Sequence, residues 1–113
     1  MLNVVIDRQR WLRGEGNDSS YLLRRSDAKM CCMGFACLTD GATEDMITGQ
    51  TTVHNLIRAN EANEWRPTFK HGIANNLFSL YATNDQQDLD AGERESRIIA
   101  YGREVDIEFS FVN

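Results

Sequence analysis

The chain has 113 residues and a mass of 12.9 kDa, the size of one domain, and its 42% apolar and 26% charged residues are those of an ordinary globular protein. A net charge of −5 makes a poor sequence-independent nucleic-acid binder, because phosphate neutralisation supplies most of that affinity. One proline and eight glycines exclude a collagenous or linker-like chain, and no apolar run reaches the roughly 18 residues that cross a bilayer. No basic segment leading into an apolar stretch opens the chain, so the expectation is a protein neither secreted nor held at a membrane.

Taken in chain order, the β-branched run Val4-Val5-Ile6 predicts a first strand. Glycines and small polar residues from 14 to 20 predict a loop, and Ser20-Tyr21-Leu22-Leu23 a second short strand or turn end. Ser26 or Asp27 offers an N-cap for a helix through residues 30–39. That helix is apolar all round, which predicts burial, and Gly41 supplies its left-handed stop. Thr43 caps one further helical turn. Residues 48–69 read as a long irregular loop with a turn of helix near 53–58, and Pro67 pushes Arg66 toward extended geometry.

Ile73, Leu77, Leu80, Tyr81 and Asn84 follow the spacing of one helix face, with a stop at Asn84-Asp85. Asp90 with Glu93 reads as an aspartate capping box launching a helix that offers Ile98, Ile99 and Tyr101 to the core. Ile107, Phe109 and Phe111 alternate with polar residues, the cleanest strand signal in the chain, and residues 3–6 are its natural partner. The expected architecture is therefore α+β in a single domain. It has a small antiparallel or mixed sheet of the N- and C-terminal strands, packed by about three helices, of which the one near 30–39 is buried.

Three cysteines, Cys31, Cys32 and Cys37, fall in one stretch, an odd count that argues against a disulfide framework. His54 and His71 are isolated, so no second pair completes a zinc site, and small buried thiols are the simpler reading. No metal or cofactor is called for, and neither histidine has a nucleophile beside it that would indicate an enzyme.

The best binding segment runs from Arg8 to Ser20. Arg8, Arg10 and Arg13 precede or flank Gly14 and Glu15, with Arg24, Arg25 and Lys29 able to close the far side. Arginine presents a planar fork to phosphate or carboxylate, and glycine lets backbone approach a ligand. The same arginines can instead pair with the acids around them. Trp65, in a polar loop before Pro67, is a candidate exposed anchor. Asp88, Asp90, Glu93 and Glu95 form an acidic run, read either as a helix N-terminus using its dipole or as a patch for a basic groove.

Arg10-Trp11-Leu12-Arg13-Gly14-Glu15, Ser20-Tyr21-Leu22-Leu23 and Lys29-Met30-Cys31-Cys32-Met33-Gly34-Phe35 together resemble a family of small tailed-phage and prophage proteins. Asn84-Asp85, Glu93-Arg94-Glu95 and the closing strand are similar too, while residues 48–70 are unmatched. Ala28 stands where the family often has glycine, and Met33 where it often has leucine. The resemblance implies a non-enzymatic accessory protein in the host bacterial cytoplasm that binds and inhibits a host protein, a component of anti-phage defence by the habit of its class. The acidic C-terminal third would steer the encounter and Trp65 would anchor it. A second expectation is a protein that sequesters an anionic small molecule, a nucleotide signal, at Arg8, Arg10, Arg13 and Arg24. The closing strand, as a sheet edge, also invites pairing in a homodimer.

Overall fold

The computed structural model describes residues 1–14, 20–71 and 77–113. In chain order these form β1 (Leu2–Asp7), α1 (Cys32–Thr39), α2 (Glu44–Ile47), α3 (Val53–Ala59), α4 (Phe78–Asp85), α5 (Ala91–Glu104) and β2 (Ile107–Val112). The architecture is α+β, with five helices among the described residues rather than about three. The terminal strands pair with each other as expected, but in parallel, with Leu2 opposite Ile107, Val4 opposite Phe109 and Ile6 opposite Phe111. The expected sheet was antiparallel or mixed; the alternation in β2 reports a half-buried face and carries no information about direction. Parallel neighbours need a long crossover, and here all five helices lie within it.

Val4, Ile6, Ile107 and Phe109 turn into the core, whereas Asn3, Val5 and Ser110 face solvent. The turn from α5 into β2 is made by Asp106 at φ 66°, whose carbonyl accepts the Leu2 N–H at 2.9 Å and so sets the register. Beneath the sheet lies α1, with every residue from Cys32 to Cys37 buried. Its N-cap is Cys31, not Ser26 or Asp27. Residues 24–29 instead close on themselves, through Arg24 N–H to the Lys29 carbonyl at 2.8 Å and Ala28 at φ 59°.

Gly41 does take the left-handed conformation after α1, at φ 105°. Thr43 caps α2 by accepting the Met46 N–H at 3.2 Å, and Thr52 caps α3 by accepting the Asn55 N–H at 3.1 Å. The helical turn expected near 53–58 is present as the seven-residue α3, which shortens the irregular stretch expected from residue 48. Residues 20–23 form no strand, only an isolated bridge between Leu23 and Thr48. Of the helix face predicted from Ile73 to Asn84, α4 supplies the part from Phe78, while Ile73 lies outside the described residues. Among the described residues, no helix is long and apolar enough to cross a membrane.

Candidate functional site

The segments that stood out in the sequence meet at one side chain, Asn84, in the last turn of α4 and fully buried. Its side-chain oxygen accepts the Trp11 indole N–H at 2.8 Å and the Cys32 N–H at 3.0 Å. Its amide nitrogen donates to the Leu12 carbonyl at 2.8 Å and to the Asp85 carboxylate at 3.2 Å. Both acceptor positions and both donors are therefore used. The bond to Cys32 also supplies α1 with the capping acceptor that Cys31 cannot provide.

Asn84 and Asp85 then fasten the chain on either side of residues 15–19. The Gly14 N–H donates to the Asn84 carbonyl at 2.8 Å. Ser20 donates to the Asp85 carboxylate twice, from its N–H at 2.9 Å and its hydroxyl at 2.7 Å. Gly14 lies so close to the Asp85 backbone that any Cβ would overlap it, which is why the position requires glycine. Arg94, 4% exposed, reaches the same helix end from α5 and donates to the Thr83 carbonyl at 2.8 Å and the Asn84 carbonyl at 3.0 Å. A cation there satisfies carbonyls that α4 cannot bond internally.

The arginines of the expected binding segment are directed to different places. Arg8 makes a two-pronged pair with Glu95 of α5, at 2.8 and 2.7 Å, and lies over the Phe111 ring. One member of the predicted cationic site thus neutralises one member of the predicted acidic patch. Arg10 donates to the Ala28 carbonyl at 3.3 Å and faces Glu44 at 3.8 Å. Arg13 stacks over Trp11 at 5.0 Å, and Arg24 pairs with Asp27 at 2.6 Å. The Arg24 fork holds the Asp27 carboxyl down at about 2. Glu15 lies outside the described residues.

In the acidic run, Asp90 caps α5 by accepting the Gly92 and Glu93 N–H groups, and Glu93 pairs with Arg97 at 2.9 Å. Asp88 is exposed. Trp65 is half-buried, its indole N–H donating to the Asp40 carbonyl at 2.8 Å. The Asp40 carboxylate also accepts the Thr68 N–H at 2.7 Å and hydroxyl at 2.6 Å, so one residue clamps the segment from 65 to 68 onto the end of α1. Arg66 folds back onto the Asn63 and Trp65 carbonyls at 2.8 and 2.7 Å.

Cys31, Cys32 and Cys37 are free thiols with no exposed surface. Burial pushes Cys31 up to about 11 and raises Cys32 and Cys37 as well. Such thiols are poor nucleophiles. Among the described residues, no group of three or more His, Cys, Asp or Glu side chains is placed to hold a metal ion.

Sequence reasoning placed Asn84 on a helix face and Asn84-Asp85 at its stop but missed the network around them. The signal was present: Asn84 occupies an apolar position of the α4 pattern, and Arg94 shares a buried α5 face with Ile98 and Gly102. Compared with protein-family models, curated proteins and solved structures, the chain matches none.

Proposed function

We propose that this chain is a non-enzymatic accessory protein of the tailed-phage type. It binds a host protein in the bacterial cytoplasm, a defence component by the expectation of its class, and inhibits it by occlusion. The observation that carries this reading is the Asp40 clamp, which holds Trp65, Arg66 and Pro67 in one conformation although they belong to no helix or strand. Binding residues commonly sit on irregular segments fixed to a rigid scaffold, and fixing them beforehand reduces the entropy lost on association. Tryptophan and arginine are also the residues that most often dominate an interface. Enclosure of the three thiols supports binding over chemistry, since it withdraws the chain's strongest nucleophiles from any substrate. The acidic surface, Asp88 included, adds long-range steering toward a basic partner.

Affinity capture from lysate of a host bacterium tests this, with the wild-type chain and Trp65→Ala immobilised in parallel. The reading expects one host protein to be retained and inhibited by the wild type. Its affinity for Trp65→Ala should fall by on the order of thirtyfold or more, the loss of a residue worth about 2 kcal/mol or more at an interface. Equal retention by both proteins, or retention without inhibition, would contradict it.

A further inference from the structure

A groove of about 430 Å3, lined by Tyr21, Arg24, Arg25, Ser26 and Gly49, opens elsewhere on the surface. Among the described residues, no carboxylate lines it, in a chain whose net charge is −5. One wall is the closed turn at residues 24–29. There the Asp27 carboxylate takes the Arg24 guanidinium at 2.6 Å and the Lys29 N–H at 3.2 Å, which fixes the turn and neutralises Arg24. The other wall is Gly49 at φ 78°, anchored by its N–H to the Leu23 carbonyl at 2.9 Å.

Gly49 and Arg25 are in close register. A Cβ at Gly49 would lie 3.2 Å from Arg25 Nε and 3.4 Å from its Nη2, so the guanidinium occupies space that a side chain at this position would crowd. Among the described residues, Arg25 has neither a hydrogen-bond acceptor nor a carboxylate partner, and the neighbouring Ser26 is exposed. Arg8, Arg10, Arg24, Arg66 and Arg94, by contrast, each donate to a carbonyl or a carboxylate. Among the described residues, Arg25 is therefore a cation without a carboxylate partner in a groove that no acid lines, where local field favours an anion.

We propose that this groove binds a small phosphomonoester. The Arg25 fork and the Ser26 hydroxyl supply several donors, which suits the three acceptor oxygens of a phosphoryl group. The volume falls within the roughly 300–1,000 Å3 of small-molecule sites, so it admits an organic ester beyond the phosphate itself. Tyr21 provides the less polar wall for that part. This inference does not depend on the occlusion reading, because the groove is not part of the Asp40 clamp.

Isothermal titration calorimetry and amide chemical-shift mapping on the full chain test it with three probes: ribose 5-phosphate, ribose and inorganic phosphate. The expected result is that ribose 5-phosphate shifts the amides of Arg25, Ser26 and Gly49. Ribose should not shift them, and inorganic phosphate should bind more weakly than the ester. Arg25→Ala should lose on the order of tenfold or more in affinity, and Arg25→Lys, which keeps the charge without the fork, should fall between. The exposed position of Arg25 leaves the fold intact, which circular dichroism checks. Absence of binding, ribose binding as well as its phosphate, inorganic phosphate binding as tightly as the ester, or an unchanged Arg25→Ala affinity would each overturn the proposal.

Discussion

Replacing Asn84 with alanine strands the Trp11 indole N–H, the Cys32 N–H and the Leu12 carbonyl in the interior together. Each orphaned buried group costs about 1–3 kcal/mol, so Asn84→Ala is expected to destabilise the fold by about 3 kcal/mol or more in urea unfolding. A loss below about 1 kcal/mol would mean that the network carries little of the structure. The thiols give a pH-dependent counterpart. Cys31 rises from an ordinary 9.0 to about 11 on folding, because burial disfavours the thiolate. Its contribution is present in full below the unfolded value and is lost as pH rises through the folded one. Stability should therefore fall between about pH 9 and 11, and less steeply in Cys31→Ala. Thermal unfolding across that range measures both. At this scale the sequence was readable for identity but not for role. An asparagine on a helix's apolar face signals a buried hydrogen-bonding group, yet its partners come from residues 72 and 52 positions away in the chain.

Caps were the most legible elements. Thr43 and Asp90 both cap as read, because a short oxygen-bearing side chain before an apolar-periodic run has one common use, but the Glu93 carboxylate bonds Arg97 instead of closing the box. Asp90→Ala should accordingly cost about 1 kcal/mol in the same unfolding assay. The start of α1 was misplaced because its acceptor comes from Asn84, a tertiary contact, while Asp27 is spent inside its own turn. That turn has its own acid sensitivity. Asp27 is held at about 2 against an ordinary 3.8, chiefly by the Arg24 hydrogen bond. Its stabilisation is present above the ordinary value and is lost as pH falls from about 4 toward 2. Carbon-detected carboxyl titration should place the Asp27 midpoint well below that of an exposed aspartate. The Lys29 amide, bonded to the same carboxylate, should shift with it.

For the molecule as a whole, the partnership of the two terminal strands could be read from their patterns, but their parallel direction could not, since alternation is blind to it. Neither could the convergence of Trp11, Ser20, Cys32 and Arg94 on one helix end, which exists only once the crossover has folded. Pairing of β1 with β2 joins the chain's ends, so removal of residues 107–113 should abolish cooperative unfolding by exposing Val4 and Ile6 and deleting Ile107 and Phe109 from the core. The central claim is that the distinctive segments are held in place by the Asn84 network, leaving binding to the surface. Native-state hydrogen exchange at the Cys32 and Gly14 amides tests this most directly. Both should exchange only through global unfolding in the wild type, and both should lose protection in step with the lost stability in Asn84→Ala. Exchange of these amides at the rates of an open loop in the wild-type protein would contradict the account.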